Sequence, residues 1–467
     1  MKEVTFIQVL LPLKLAWNPW YYVPEGMEGA EGLEVGTRVK VKCARKEYVG
    51  AVVSKDGAPD IDIKKIQPII SVETALEKIL PGEFELWKFI ADYYMCTPGE
   101  VFKAAYPALR VASEAKKAHK SPDIPDEVKR PRLAEGEKKA AIAVLDAFDE
   151  GKTVLLRGLH RESVYNELAR RTLEAGRDVL ILSPAAPNMN YTLRREVSKA
   201  LRSSKPAIVR SGRTAIFLPY TKLGLVIVDE EQDISYKQES PAPRYNARDV
   251  AAVLARNQSA NLLLGSSAPS LEALYNVGAG KFRSVEIEEP YPHITIVGTD
   301  AERRKNGMVD ELSRILIARK ETLEAAGKKV LVINSWELGN ISKLKLDKYA
   351  LVAVLHFEHF LSKQDFRADE KACFALGKLR SAVKGELLIQ TKDASHPVFS
   401  GDEARLLEER RQFNLPPFTR QIVIRNSKGD TVNQAFIPKD RNLRQAKIDF
   451  VGDRAAAAGL TVDVDPY

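Results

Sequence analysis

From residue 134 onward the chain alternates helical stretches with short, wholly apolar strands, and this rhythm constrains the fold more than any other feature. Residues 137–148 have helical spacing, 153–156 form an apolar strand, 163–175 a helix closed by Gly176, and 179–182 another strand. Residues 207–209, 216–218 and 225–228 read as further strands, 247–256 as a helix and 261–264 as a strand. Strands apolar on both faces need cover on both, and helices between them return the chain to the same edge. The pattern therefore predicts a parallel α/β sheet. A second, smaller α/β stretch runs over about 310–395, with helices at 311–326 and 369–376 and strands at 330–333, 351–355 and 387–390.

The flanks differ. Residues 4–11, 38–42 and 49–54 read as short strands, with turns at Gly36, Gly50 and Gly57. Residues 74–94 follow with helical spacing, and Pro81-Gly82 is expected to split them into two helices. Residues 111–133 have the charged, Pro-containing composition of a linker. A charged helix at 402–413 and a strand at 421–425 close the pattern. A chain of 467 residues is expected to hold several domains.

Lys and Arg exceed Asp and Glu by 71 to 63, a balance that suits a polyanionic partner such as DNA. No window approaches the ~18 apolar residues a membrane span needs. The N-terminus reads as a strand, so a cytoplasmic location and no membrane partner are expected. Cys43, Cys96 and Cys373 are far apart, which argues against a structural zinc site.

The stretch from Leu223, LGLVIVDEEQDISYKQESPAPRYNARD, delivers Asp229 and Glu230 to the end of an apolar strand. Ligands of parallel sheets sit beyond those ends. An Asp there can hold Mg²⁺, and a neighbouring Glu can orient an attacking water. DEEQ, YKQ, PRYNARD and LGSSAPS resemble, in order and spacing, the DEEH, YKQ, RYHARD and GSATPS-like elements of the PriA family (primosomal protein N′, superfamily 2). SGRTAIFLPYTKLG, LSKQDFRADEKA, GELLIQT and RRQFNLPPFTR also resemble family elements. The N-terminal LPLKLAWNPWYYVP and FIADYYMCTPGEVFKAAYP resemble the family's DNA 3′-end-binding domain.

The resemblance implies two RecA-like parallel-sheet lobes, the second reduced, behind a small β-rich DNA-binding domain. It divides the chain into a 3′-end-binding-like domain at 1–110, a linker at 111–133 without the family's winged helix, and a first lobe at 134–290. A second lobe lacking the zinc insert would span 291–400, and a truncated C-terminal domain 401–467. It implies replication restart, forked, single-stranded or 3′-end DNA as ligand, other primosome or replication proteins as partners, and ATP with Mg²⁺ as cofactors. Asp229 and Glu230 would be the catalytic acids, with Asp229 holding Mg²⁺ if nucleotide binds.

The departures fall on the motor. The family's phosphate loop would lie at 157–165, RGLHRESVY, where Gly158 is the one glycine and Gly-Lys-Thr is absent. Ser163 could take the Mg²⁺-ligand position, while His160 and Arg161 alone cannot form a backbone nest. Glu137 replaces an adenine-reading Gln, and Gln232 the histidine after the acids. Lys378 and Arg380 stand where paired arginine fingers are expected. For DNA, Trp20 and Tyr21 could stack on bases. Arg38, Lys40 and Lys42, alternating on one strand face, could follow a backbone together with Arg45, Lys237, Arg244 and Arg248. The departures predict a DNA-binding protein whose helicase and ATPase activity is lost or impaired. An ATP-dependent 3′–5′ helicase with a divergent phosphate loop and a non-catalytic interaction scaffold are the competing readings.

Overall fold

The computed structural model describes residues 5–55, 57–107, 128–288, 294–338, 344–361, 365–440, 442–452 and 459–466. The N-terminal part contains β1 (Phe6–Leu10), β2 (Trp20–Tyr22), β3 (Arg38–Cys43), β4 (Lys46–Lys55), β5 (Gln67–Pro68), β6 (Ser71–Val72), α1 (Pro81–Tyr94) and α2 (Pro98–Ala105). The strands form one sheet in the order β5-β2-β1-β4-β3-β6. Its inner face buries Ile7, Val9, Val39, Val41 and Val52, so the alternation of β3 puts Arg38, Lys40 and Lys42 on the other face. Helix α2 packs against the end of β1 at Gly99, where a Cβ would lie 2.0 Å from the Leu13 carbonyl oxygen.

Only the second half of the expected 74–94 helix pair is helical. Pro81 opens α1 because its fixed φ suits a first turn, and it holds Leu80 extended at φ −80°, ψ 151°. The expected linker lies mostly outside the described residues.

The first parallel lobe runs through α3 (Glu135–Asp149), β7 (Thr153–Arg157), α4 (Glu162–Glu174), β8 (Asp178–Leu182), α5 (Tyr191–Leu201), β9 (Ile208–Ser211), β10 (Leu223–Val228), α6 (Ala247–Asn257), β11 (Asn261–Ser266), α7 (Leu271–Gly278) and β12 (Phe282–Glu286). Its six strands are all parallel, in the order β12-β7-β11-β10-β8-β9. Residues 216–218, expected as a strand, belong instead to a 3-10 turn over Arg213–Phe217 and its C-cap. The run is buried beside α6 rather than in a ladder, and a short apolar run satisfies either arrangement.

The second lobe contains β13 (Ile294–Gly298), α8 (Thr299–Lys305), the ribbon β14 (Met308–Val309) and β15 (Leu312–Ser313), α9 (Arg314–Ala325), β16 (Val330–Asn334), β17 (Leu351–Leu355), α10 (Ala368–Ala382), β18 (Glu386–Thr391) and α11 (Glu403–Gln412). Its sheet is parallel, with four strands in the order β13-β18-β17-β16. The chain ends in an antiparallel sheet of β19 (Thr419–Arg425), β20 (Thr431–Pro438) and β21 (Thr461–Val464), with α12 (Leu443–Val451). Among the described residues no helix is long and apolar enough to cross a membrane.

Buried polar contacts join these parts. The C-terminal sheet meets α1 where the Tyr93 hydroxyl donates to Asp465 at 2.8 Å and Lys447 donates to the Tyr93 carbonyl at 2.8 Å. The lobes meet where Lys378 donates to Asp233 at 2.6 Å and Arg157 to Glu403 at 2.8 Å. Within the first lobe, buried Asp178 accepts from the Ala207 N–H at 2.8 Å, and burial pushes its carboxyl up to about 6. The folded value exceeds the unfolded one, so the native state holds an extra proton between them and stability falls as pH rises from about 4 to 6. Asp178→Asn is expected to remove that decline and to gain roughly 1–3 kcal/mol at pH 8, measured by urea unfolding across pH.

Candidate functional site

Three neighbouring strands, β7, β11 and β10, end side by side, with Arg157 opposite Ser266 and Val228 opposite Leu264. The turns that follow them therefore converge. The turn after β10 carries Asp229 and Glu230, that after β11 carries Ser267, and that after β7 runs from Gly158 into α4.

Between the two carboxylates lies the guanidinium of Arg161, 4 % exposed. Its Nη2 is 2.8 Å from Asp229 Oδ1 and also donates to Glu230 Oε1, and its Nη1 donates to the Gly158 carbonyl. One turn along α4, the Tyr165 hydroxyl donates to the same Asp229 oxygen at 2.8 Å. Gly265 makes room for this, since a Cβ there would lie 1.6 Å from the Tyr165 hydroxyl oxygen. Glu230 also accepts from Gln232 at 2.5 Å and Ser267 at 2.9 Å. Burial alone would weaken the Arg161 charge, but Tyr165, Glu230 and Asp229 overrule it and push its pKa up. A divalent cation at Asp229 would have to displace this arginine.

The other expected nucleotide residues lie around this knot. Gly158, at φ +135°, donates its N–H to the Ser266 carbonyl and forms the floor under Arg161. Ser163 is half-buried in the first turn of α4, and His160 is exposed on the turn before it. Gln232 bridges Glu230 and Ser266, whose hydroxyl donates to its Oε1 at 2.6 Å. Glu137 caps α3 by accepting from the Ala134 N–H at 2.6 Å. Lys378 is engaged by Asp233, and Arg380 lines a crevice of about 220 Å³ between the lobes. The third acid of the box, Glu231, is buried and holds Arg248 at 3.1 Å and the Ser270 N–H at 2.6 Å.

The residues expected on DNA divide into two groups. Lys42 and Arg45 are exposed, the latter at the tip of the β3–β4 turn with φ +68°. Lys40 is half-buried and pairs with Glu47 at 2.6 Å. Arg244 is half-buried, and its carbonyl accepts from Lys237. Trp20 donates to Asp60 at 2.9 Å and covers Gly57. Four placements are corrected by burial. Tyr21 lies in the sheet core, with its hydroxyl on the Lys42 carbonyl and its pKa pushed up to about 12 by desolvation and Cys43. Arg38 lies between the rings of Phe102 and Tyr106, 5.1 and 4.9 Å from their centroids. Lys237 is locked by the Val464 carbonyl and Asp463, and Arg248 by Glu231 and Asp249. Arg38 and Lys237 lost their solvent face to elements distant in sequence, the end of α2 and β21, which strand alternation and net charge cannot reveal. The role of Arg161 was missed as well. The available signal was its spacing of four from Tyr165 at a helix start that follows a strand.

Residues 8–107 match the family model of a PriA 3′ DNA-binding domain (3′BD). The replication restart protein PriA of Rickettsia prowazekii (strain Madrid E) is 28 % identical over 358 residues, covering 70 % of this chain and 53 % of the relative. That of Haemophilus influenzae (strain Rd) is 31 % identical over 201 residues, 38 % of this chain and 27 % of the relative. That of Helicobacter pylori (strain 26695) is 27 % identical over 291 residues, 57 % of this chain and 44 % of the relative. The chain thus spans about half the length of the first of these relatives. Among solved structures, the DUF1998 helicase MrfA aligns over 62 % of this chain and 55 % of its own, at 10 % identity and a TM-score of 0.33.

Proposed function

Because this chain is a PriA-like protein, we propose that it binds forked or single-stranded DNA during replication restart, in the cytoplasm, without an ATP-driven motor. The observation that carries the second half of this reading is Arg161, buried between Asp229 and Glu230. An enzyme that hydrolyses nucleotide at such a strand end needs those acids free for metal and water. Here an arginine, a tyrosine, a glutamine and a serine use their oxygens. The turn that would wrap phosphates is shaped around the arginine instead. The first half rests on the 3′BD match and on the exposed cations Lys42 and Arg45. Assembly with other primosome or replication proteins belongs to the same proposal.

Calorimetry with Mg-ATP, with and without fork DNA, tests the motor. No binding heat and no phosphate release are expected. DNA-stimulated turnover abolished by Asp229→Ala would establish an active helicase instead. Anisotropy with labelled DNA tests recognition, and tighter binding to forks or single strands than to duplex at physiological salt is expected. A partner that copurifies with a chain binding no DNA would favour the scaffold reading.

A further inference from the structure

The two lobes meet along one face of α10. Gly377 and Lys378 follow Glu370 two turns on, so the three share a face over ~12 Å of helix. All three touch the first lobe. Glu370, 2 % exposed, accepts from the Leu271 N–H at the start of α7 at 3.3 Å. Lys378 donates at 2.6 Å to Asp233, whose side chain is 8 % exposed. Between them, Gly377 is pressed onto the turn after β11. A Cβ there would lie 2.6 Å from the Ala268 Cβ and 3.2 Å from the Ser267 Oγ. Glycine weakens a helix interior, and here the close approach of α10 to that turn requires it.

The turn under Gly377 is itself held from behind. Ser267 donates to Glu230 at 2.9 Å, and Ser270 donates to Glu231 through its N–H at 2.6 Å and its hydroxyl at 2.8 Å. Two further contacts between the lobes lie off this face. Arg157 at the end of β7 pairs with Glu403 of α11 at 2.8 Å, and Arg367 lies 3.9 Å from Glu272 of α7. The seam thus draws on the ends of all three strands that frame the acid pair. What remains between the lobes is a crevice of about 220 Å³. Pockets that enclose a small ligand run to ~300–1,000 Å³.

Domains that move against each other swing about a few hinge residues and share a small polar contact. These lobes are held at points spread along α10 and across to α11. A rotation that opens one of them must break another. We propose that α10 bolts the two lobes into one rigid unit, at a spacing that neither Mg-ATP nor DNA changes. This goes beyond the absence of a motor, since lobes that hydrolyse nothing are still free to swing about the chain that joins them.

The test is the distance between spin labels carried on unnatural side chains at Glu174 of α4 and Glu324 of α9, both exposed. Double electron–electron resonance reads it in the full chain alone, with Mg-ATP and with fork DNA. One narrow distribution, the same in all three samples, is expected. Gly377→Leu should replace it with a broader one at longer distance, because a larger side chain has no space against Ala268. Lys378→Ala is the gentler cut, since that side chain is 38 % exposed and each lobe keeps its own core. It should add a longer population while the far-ultraviolet circular dichroism stays unchanged. Two populations in wild type, or a shift on adding either ligand, overturns the bolt. So does a distribution unchanged in both variants. A shift with Mg-ATP that comes with phosphate release overturns the reading without a motor as well, whereas a shift without release leaves that reading standing.

Discussion

Arg161→Ala is expected to destabilise the first lobe by about 3 kcal/mol, at the lower end of the ~3–5 kcal/mol seen when one partner of a buried ion pair is removed. The lower end applies because the two carboxylates it would strand keep some water, with Asp229 24 % and Glu230 19 % exposed. The loss comes from two anions left facing each other, each short of a partner, with Tyr165, Gln232 and Ser267 as the remaining donors. Urea unfolding at neutral pH measures it. Arg161→Lys should recover only part, because an ammonium cannot reach both acids and the Gly158 carbonyl with a planar fork. Millimolar Mg²⁺ should raise the unfolding midpoint of Arg161→Ala and leave wild type unmoved, since only the variant has carboxylates in need of a cation. Wild-type stabilisation by Mg²⁺ to the same extent would show that Arg161 does not fill the site.

Arg410→Ala is expected to cost about 3–5 kcal/mol. Arg410, on α11, donates to the Pro416 carbonyl at 2.9 Å, the Phe366 carbonyl at 3.0 Å and Glu370 at 3.2 Å. Glu370 is 2 % exposed, so water cannot replace the lost partner. Burial and neighbouring Glu272 already push its carboxyl pKa up, while Arg367 and Arg410 hold it down. Removing one of these arginines raises it further. The variant should therefore be hurt most at high pH and least in acid, where the carboxyl is protonated. Glu370 also accepts from the Leu271 N–H of the first lobe at 3.3 Å, so the loss should appear at the contact between lobes. Hydrogen exchange that accelerates across α7 and α10 together is the expected signature. Exchange confined to α11 would contradict it.

Much of the architecture was legible because it depends on local pattern. Apolar strands such as Leu225–Val228 and helices such as the one beginning at Ala247 announce a parallel sheet through periodicity alone. The acids at 229 and 230 announce a strand-end site through the topology of such sheets. The errors share one cause. Local pattern puts the run at 216–218 in a ladder and the lysine at 237 and the arginine at 38 on an open face, whereas elements further along the chain decide their burial. Lys237 is closed over by β21, more than 220 residues away in the chain.

The sequence by itself determined the layered α/β plan, the β-rich N-terminal part, the position of Asp229 and Glu230 and the absence of a glycine-rich phosphate loop. Each follows from residue type and short-range spacing. Only the tertiary structure decided what occupies the acid pair. The ends of β7, β11 and β10 become neighbours through crossovers that order the sheet differently from the chain, and Arg161 meets Asp229 across 68 residues of sequence. A missing lysine can be read from a motif. An arginine seated between the two acids can be read only where three strand ends meet.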